Sequence, residues 1–325
     1  MLASQWLVGR SPTFLEALAL IDRVAQFEVP VVIEGETGTG KELAARAIHY
    51  GSPRRDRPFV PVNCGAIPDA LIENELFGHQ RGAFTDARTP APGLVEVAHR
   101  GTLFLDEVDG LSPRAQVALL RFLQDQTYRP LGSQTERQAD VRIVAAANRR
   151  LEPLADAGLF RKDLLFRLRL IAIPLPPLRE RRGDAALLAG WFVQGLNRRY
   201  GGLPKLVTSR MVAWLEAQPW PGNVRELENL VHRQFLLAQG GELGPPPSGR
   251  APSALDDLPT GQLLTYRAAK AAALAEFDRA FLDTLMRTSG GNVSAAARLA
   301  CKERRALGKL LRKYGVRPGQ FKSAS

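Results

Sequence analysis

Residues 30–50 read PVVIEGETGTGKELAARAIHY. The segment begins with a short apolar run, typical of a buried strand, and ends with the pattern of a helix. Between them lies the spacing G-x-x-x-x-G-K of a phosphate-binding loop, in the strand-to-helix context that such a loop needs. Its glycines let backbone N–H groups curl around phosphate oxygens at a helix N-terminus, and Lys41 can reach the β- and γ-phosphates. The predicted nucleotide-binding residues are Gly35, Glu36, Thr37, Gly38, Thr39, Gly40, Lys41 and Glu42.

A second apolar run, GTLFLDE at 101–107, ends in two carboxylates. Open α/β sheets bind ligands at the C-terminal ends of their strands. We predict that Asp106 holds magnesium, directly or through water, and that Glu107 polarises the attacking water as the general base. Position 42 departs from the usual pattern, because Glu stands where Ser or Thr commonly helps to hold magnesium. The predicted cofactors are ATP and magnesium.

Strand and helix signals alternate over the first half of the chain. Further strands are predicted at 57–64 and 141–148 and a helix at 113–125, and from 184 onward the signals become helical. This alternation predicts an α/β fold with a mainly parallel sheet flanked by helices on both faces. A stretch rich in Pro, Gly and Ser then indicates a linker. The predicted boundaries are 1–183 for the α/β part, 184–240 for a helical lid, 241–262 for the linker and 263–325 for a small all-α domain.

Composition excludes several classes of protein. The 325 residues include 44 Lys and Arg against 33 Asp and Glu, a formal net charge of +11. The two cysteines, Cys64 and Cys301, are too few for a disulfide framework and are expected to be reduced structural thiols. The N-terminus lacks the regions of a signal peptide, and no apolar run approaches the roughly 18 residues of a membrane span. We expect a soluble, cytoplasmic protein without a membrane partner.

The C-terminal charge is concentrated. Residues 291–325 carry nine bases and one acid, which indicates a polyanionic partner, nucleic acid first. Helices predicted at 293–300 and 303–314 have helix-turn-helix spacing. The start of the second helix is expected to read base edges, and its later bases are expected to contact phosphates. A solubilising tail and a small helical oligomerisation unit with a basic face remain as alternatives. The predicted DNA-binding residues are Lys302, Arg304, Arg305, Lys309, Arg312 and Lys313.

Six segments of the chain, in order, resemble the sigma-54-dependent bacterial enhancer-binding activators, which are AAA+ ATPases. The resemblance covers nearly the whole chain, is closest to short members without an N-terminal regulatory domain, and extends to a Fis-type helix-turn-helix at the C-terminus. The segments are GETGTGKE (35–42), VNCGAIPDALIENELFGHQRGAFTDA (62–87), GTLFLDEVDGL (101–111), FRKDLLFRL (160–168), LPPLRERRGD (175–184) and WPGNVRELEN (220–229).

The resemblance assigns roles to matching positions. Asn63 is similar to the residue that couples the general base to the state of the nucleotide. Asn148 is similar to sensor I, although the Thr usual before it is Ala147 here, and Arg225 is similar to sensor II. In the family, a neighbouring subunit inserts arginine fingers at the γ-phosphate, and this requires a ring of subunits. The resemblance therefore implies a hexamer.

Arg161 and Arg167 resemble those arginine fingers. A guanidinium is suited to spread phosphoryl charge. On one ideal helix, however, six residues at about 100° each place the two about 240° apart. Both can therefore meet one phosphate only if one lies off the helix or if the two do different jobs. The alternative is that either arginine only forms a salt bridge at the surface.

The hexapeptide Gly82, Ala83, Phe84, Thr85, Asp86 and Ala87 resembles the GAFTGA loop that grips sigma-54 in the family. An exposed Phe84 would be the aromatic anchor of that contact, and a Phe84 buried in the core is the alternative. Asp86 departs from the family pattern. Gly reaches positive φ freely, whereas Asp does so less easily.

The leading hypothesis is a DNA-bound hexameric ATPase that remodels the sigma-54 RNA polymerase holoenzyme at enhancer-controlled promoters. A second hypothesis is a DNA-binding regulator whose nucleotide site only controls assembly and whose sigma-54 contact is lost through Asp86. A third, an ATP-driven machine with another protein target, leaves the GAFTDA loop and the terminal helices without a purpose. Control is expected from a separate regulatory protein, from the expression level, or from both. The tryptophans Trp191, Trp214 and Trp220 are expected in the core of the lid rather than in a binding platform.

Overall fold

The computed structural model describes residues 6–84, 87–238 and 240–246, and beyond them 282, 285–286, 289–300, 304–314, 316 and 320. The chain divides into two compact units, Met1–Pro245 and Pro246–Ser325. The helices of the first unit are α1 (Pro12–Ala25), α2 (Lys41–Tyr50), α3 (Ile72–Phe77), α4 (Leu94–Val97), α5 (Pro113–Asp125), α6 (Leu151–Asp156), α7 (Lys162–Leu168), α8 (Asp184–Tyr200), α9 (Ser209–Glu216) and α10 (Asn223–Leu237). Its strands are β1 (Val31–Glu34), β2 (Phe59–Asn63), β3 (Gly78–His79), β4 (Ala91–Pro92), β5 (Thr102–Asp106), β6 (Thr127–Tyr128), β7 (Arg137–Gln138), β8 (Arg142–Ala147), β9 (Ile171–Pro174), β10 (Leu206–Val207) and β11 (Glu242–Leu243).

Five of these strands form one parallel sheet in the order β2-β5-β8-β1-β9. Every residue of β1 and of β8 is buried. Continuous burial is expected of parallel strands that are covered by helices on both faces. The predicted α/β fold is therefore confirmed, and the C-terminal ends of β1, β2, β5 and β8, which carry or precede candidate site residues, meet at one edge of the sheet.

The core has two layers, one on each face of the sheet. Successive side chains of a strand point to opposite faces. Accordingly Leu103 and Leu105 of β5 join an apolar cluster with helices α5 and α7, and Phe104 between them joins a cluster with α1 and α2. This sandwiching holds the sheet rigid, so that the loops at its edge are presented in fixed positions.

The lid is a bundle of α8, α9 and α10 around a core that includes Met211, Leu215 and Val231. The structured region extends past the predicted boundary at 240. Strand β10 pairs in parallel with β11, and Leu243 is buried in the lid. Residues 241–245 therefore belong to the first unit rather than to the linker. The buried side chain of Leu243 extends the core of the lid to these residues. Residues 247–262 of the predicted linker lie outside the described ranges.

The lid tryptophans differ in environment. Trp220 is buried and donates from Nε1 to the carbonyl of Leu215 at 2.9 Å, and Trp214 is half-buried beside it. The expectation for Trp191 is wrong, because this side chain is 51% exposed. At about 100° per residue it stands at the margin of the stripe through which α8 contacts the bundle.

In the second unit, two helices, Val293–Leu299 and Arg304–Lys313, pack around Met286, Ala296 and Leu307. Asn292 caps the first of these helices, and its Oδ1 accepts from the N–H groups of Ser294 and Ala295 at 3.0 and 3.2 Å. Residues 265–290 fall mostly outside the described residues. Among the described helices of both units, none has the length and apolar character needed to cross a membrane.

Candidate functional site

The phosphate-binding loop joins β1 to α2, as the sequence predicts. Gly38 and Gly40 have φ of +82° and +99°, a region that side chains with a Cβ rarely adopt. Gly38 also lacks room for a side chain, since a Cβ there would overlap the carbonyl oxygen of Gly222. Gly40 is the N-cap of α2, so the positive end of that helix faces the loop. The loop therefore has the geometry of an anion cradle.

Lys41 lies inside this cradle. Its Nζ donates to the carbonyls of Gly35 and Glu36 at 2.8 and 3.2 Å and to Oδ1 of Asn148 at 2.8 Å. Burial lowers the pKa of Lys41, and the carboxylates of Asp106, Asp109 and Glu107 act against that shift. The ammonium is thus held by acceptors that a phosphate oxygen can replace.

The two predicted carboxylates stand at the end of β5. Glu107 has φ of +57°, and its N–H donates to Oδ1 of Asp106 at 2.9 Å. Burial raises the pKa of Asp106, while that N–H and Lys41 oppose the rise. Two carboxylate oxygens near a lysine and a phosphate cradle are the hard donors that magnesium prefers, so the residues present fit that ion.

Asn63 ends β2 directly opposite Asp106 in the sheet register. Its Oδ1 accepts from the N–H of Ala66 at 3.0 Å. A Cβ built on Gly65 would overlap Oε2 of Glu107 and lie 3.4 Å from Oδ1 of Asn63. Because Gly65 has no side chain, the side chains of Asn63 and Glu107 can both lie beside it.

Asn148 directly follows β8, the strand between β5 and β1. Its Oδ1 accepts from Thr37 Oγ1 at 3.1 Å as well as from Lys41, and its N–H donates to Oδ1 of Asp109 at 3.1 Å. Sequence reasoning missed Asp109, whose carboxylate is 8% exposed. The signal for it is the third acid of the run DEVDG, two residues after the predicted base.

The lid contributes to the site through the turn before α10. Asn223, buried and with φ of +52°, donates from Nδ2 to the carbonyl of Thr37 at 3.0 Å and to Oε2 of Glu36 at 3.2 Å. Arg179 binds the same Glu36 carboxylate with both Nη atoms, at 2.8 and 2.6 Å. Neither residue was assigned from the sequence, although both stand in segments quoted for the resemblance. Arg225 lies exposed two residues after Asn223.

Of the remaining loop residues, Glu42 faces outward and Thr39 is buried. The carboxylate of Glu42 is 52% exposed and pairs with Arg46 at 2.7 Å on the surface of α2. The hydroxyl of Thr39 donates to the carbonyl of Glu36 at 2.8 Å and so closes the loop on itself. Glu42 therefore forms an ion pair within α2, at the position where Ser or Thr commonly helps to bind magnesium.

The two predicted arginine fingers do not both lie within one helix. Arg161 precedes α7 as its N-cap, with extended φ and ψ of −73° and 132°, and pairs with Asp163 at 2.7 Å. Arg167 lies within the helix and donates to the carbonyls of Leu123 and Gln124 at 3.3 and 3.1 Å. Both side chains are exposed. One of the two therefore lies off the helix, which removes the angular objection.

The described part of the candidate sigma-54 loop, residues 82–84 and 87, follows β3 in the chain. Gly82 has φ of +82°, its N–H donates to the carbonyl of Ala87 at 2.8 Å, and Ala87 is buried. Phe84 is 43% exposed with its ring 4.9 Å from that of His79, so the buried alternative for Phe84 is wrong. Thr85 and Asp86 lie outside the described residues.

The base of this loop is joined to a second loop. Gln80 N–H donates to the carbonyl of Leu131 at 2.9 Å, and Leu131 N–H donates to the carbonyl of Gly78 at 2.8 Å. Gly132, at φ of +75°, leaves room for Ala83, which would contact any Cβ there at 2.9 Å. Main-chain hydrogen bonds and close packing therefore join the two loops at their base.

Of the predicted DNA-binding side chains, Lys309, Arg312 and Lys313 are exposed on the helix Arg304–Lys313. Lys302 and the side chains of Arg304 and Arg305 lie outside what the structure describes. Cys64 is a buried free thiol, and burial raises its pKa to about 12, as expected of a structural cysteine. No group of three or more His, Cys, Asp or Glu side chains placed to hold a metal ion occurs among the described residues.

Comparison with known proteins agrees with this geometry. The fold and the loop at its sheet edge define an AAA+ P-loop protein with a helical lid. A sequence profile described as the sigma-54 interaction domain matches residues 7–174, and one described as an AAA+ ATPase lid domain matches residues 179–246. The chain belongs to the family of sigma-54-dependent transcriptional activators.

Individual relatives extend this result. The Nif-specific regulatory protein of Azotobacter vinelandii is 48% identical over 236 residues, which are 73% of this chain and 45% of that protein. The transcriptional regulatory protein GlrR of Escherichia coli K12 is 38% identical over 316 residues, 97% of this chain and 69% of that protein. The chain spans 37% to 45% of the length of the Nif-specific regulators that it matches.

Solved structures agree. NtrX from Brucella abortus in complex with ADP superposes with a TM-score of 0.69 at 33% identity, over 95% of this chain and 69% of the NtrX chain. The same protein in complex with ATP gives a TM-score of 0.68 at 34% identity, with the same coverage.

Proposed function

We propose that this chain hydrolyses ATP, binds enhancer DNA and remodels closed complexes of sigma-54 RNA polymerase. The observation that carries the proposal is the coincidence, in one unit, of a P-loop with an adjacent carboxylate pair and of an exposed Phe84 on a paired loop. A nucleotide site alone is compatible with many activities. The second feature supplies a means of transmitting its state to a protein partner.

Each step of hydrolysis has a candidate group at the edge of the sheet. Lys41 would exchange its carbonyl acceptors for the β- and γ-phosphates, and Asp106 would hold magnesium, which neutralises phosphate charge. Glu107 would accept the proton of the attacking water. Asn148, held by Asp109, would keep Lys41 oriented, and Asn63 would couple Glu107 to the nucleotide. These roles are supported by the hydrogen bonds described above.

The arginines and the lid would complete the site in an assembled ring. Arg161 and Arg167 are exposed, and a guanidinium at the γ-phosphate stabilises the transition state. We propose that a neighbouring subunit supplies them, in a homohexamer, and that Arg225 of the same chain contacts the phosphates. A separate regulatory protein is proposed to control the assembly in the cytoplasm.

Force would reach the polymerase through the paired loops. Because β3 and β4 support residues 82–87 and Leu131 binds their base, movement at α3 would displace both loops together. Phe84 offers a large apolar side chain at the exposed end, as interface anchors commonly do. DNA contact is proposed for the second unit, where Lys309, Arg312 and Lys313 form an exposed basic face that phosphates fit.

The decisive experiment mixes the purified protein with sigma-54, ADP and a metal-fluoride analogue of the γ-phosphate, and then separates the species by gel filtration. A complex that requires the nucleotide analogue supports the activator. ATP turnover without such a complex would mean that the protein acts on another target.

Asp86 favours one competing function, a DNA-binding regulator whose nucleotide controls assembly without contacting sigma-54. The substitution Asp86→Gly separates the two. If native protein fails to activate a sigma-54 promoter and Asp86→Gly activates it, the competing function is correct. Activation by the native protein excludes it.

A further inference from the structure

The lid grips the P-loop directly, through its main chain. Val224 N–H donates to the carbonyl of Gly38 at 3.0 Å. The carbonyl oxygen of Gly222 fills the space where a side chain at Gly38 would stand, and Cβ of Arg225 lies 3.3 Å from that same point. Three positions of the lid, Gly222, Val224 and Arg225, thus lie along the loop that would enclose the phosphates.

The side chain of Asn223 adds a second set of contacts between the lid and the P-loop. Asn223 uses its whole amide group, because Nδ2 donates to Thr37 and Glu36 of the P-loop while Oδ1 accepts from Leu178 N–H at 2.8 Å. Leu178 belongs to the turn that connects β9 to the lid. One side chain therefore ties the P-loop, the connection and the first residue of α10 to one another.

The same turn reaches the P-loop from the opposite side. Arg179 makes a two-pronged ion pair with Glu36, the residue that also receives Asn223. The main-chain carbonyl of Glu36 accepts from Lys41 Nζ. Displacement of Lys41 toward a phosphate would thus act on a residue whose side chain is fastened to the lid and to its connection.

We propose that Asn223 and Arg179 are positioning residues that bind Glu36 and thereby set where Arg225 stands relative to the phosphates of bound ATP. The inference rests on the proposed ATPase function and adds residues to it. The two act through Glu36 and Arg225 rather than on the nucleotide. A change in the shape of the P-loop on ATP binding then moves the lid through Glu36. The side chains of Asn223 and Arg179 do not contact the nucleotide in this scheme.

The first test replaces Asn223 with Gly, which removes the amide and still permits the positive φ. Misplacing a group that acts in the transition state lowers kcat more than it alters KM. We expect kcat for ATP to fall about 10- to 100-fold with KM nearly unchanged. In an Arg225→Ala background, Asn223→Gly should cause no further loss, because coupled residues are not additive. Independent, multiplying losses would overturn the proposal.

The control is Asn229→Gly, which makes the same substitution at an exposed position of the same helix. It weakens α10 without touching the P-loop, so it should leave kcat unchanged. If Asn229→Gly lowers kcat as much as Asn223→Gly does, the effect comes from helix stability and the proposal is wrong. Arg179→Met, with Arg182→Met in the same turn as its exposed control, repeats the comparison without altering the buried Asn223.

A second measurement does not depend on turnover. Hydrogen exchange of residues 223–237 is followed with and without ADP. In the native protein ADP should slow exchange in the first turn of α10, and in Asn223→Gly it should not. If ADP protects both equally, the response of the lid does not pass through Asn223, and if it protects neither, the lid does not respond to the P-loop; either result overturns the proposal. Loss of ATP turnover in the native protein, with ADP protection intact, would reject the ATPase function alone.

Discussion

Lys41 and Asn148 are joined by a hydrogen bond of 2.8 Å from Nζ to Oδ1. The two residues are 107 positions apart, one at the start of α2 and one at the end of β8. They meet because β1 and β8 are neighbours in the parallel sheet. The contact shows that the P-loop lysine is oriented by the adjacent strand before any phosphate enters.

Lys41→Ala should abolish ATP binding. The substitution removes the only charge aimed into the cradle from α2, and the remaining N–H groups cannot compensate for the phosphate charge. Isothermal titration with ATP and magnesium measures the effect. Arg23→Ala, which removes an exposed cation of α1, is the control and should bind ATP normally. Unchanged affinity in Lys41→Ala would refute the site.

Glu107→Gln should bind ATP and hydrolyse it slowly. An amide of the same shape keeps the packing against Gly65 but cannot accept the proton of water. Loss of a general base typically costs about 10²- to 10⁴-fold in rate. Steady-state phosphate release and equilibrium ATP binding, measured on the same preparation, separate the two effects. Normal turnover would remove Glu107 from this role.

Asp109→Ala should lower kcat by about tenfold. It removes the acceptor of the Asn148 N–H, and Asn148 then loses its fixed position against Lys41. Asp109→Asn retains an oxygen at the same place and should keep most of the activity. The kcat values of the two variants are compared at saturating ATP. Equal losses would show that the charge of Asp109, and not its hydrogen bond, is what matters.

Stability should depend on pH through Glu36. Hydrogen bonds from Arg179, and then from Asn223, lower the pKa of Glu36 from 4.5 to about 2. A carboxylate with a lowered pKa stabilises the folded state above its unfolded-state pKa and loses that contribution as the pH falls toward the folded value. Native protein should therefore be more stable than Glu36→Gln at pH 7, and the difference should shrink between about pH 5 and pH 3.

Urea midpoints of the two proteins across this range provide the measurement. The side chains of Glu36 and Arg179 are 41% and 43% exposed, so solvent screening keeps the difference small. A difference that stays constant with pH would mean that Glu36 gains nothing from the pair. Glu75→Gln, which removes an exposed carboxylate of α3, serves as the control.

DNA binding should divide by position on the terminal helix. Arg304→Ala or Arg305→Ala should relax base preference, at a cost of about 1–3 kcal/mol if the arginine contacts guanine with two hydrogen bonds. Lys313→Ala should weaken binding to all sequences alike, as loss of a phosphate contact does. Competition binding with specific and random duplexes tests this. Equal losses in all three would mean that this helix does not read bases.

The nucleotide site could be predicted closely from local pattern. Glycine spacing, the strand before it and the helix after it place Lys41, and a carboxylate pair ending an apolar run places Asp106 and Glu107. Parallel strands carry their C-terminal ends to one edge, so segments far apart in the chain could be assigned to one site. Asp109 escaped this reasoning because its role depends on Asn148, which another strand supplies.

The amino-acid sequence alone determined the fold class, the P-loop, the carboxylate pair and the break before the basic C-terminal segment, because each is written in neighbouring residues. Only the tertiary structure decided the strand order, the position of Arg161 off the helix, the exposure of Trp191 and the hold of Asn223 and Arg179 on Glu36. Those depend on which surfaces meet after the chain has folded. The two residues that bind Glu36 are 143 and 187 positions away from it, a separation at which no local periodicity carries information.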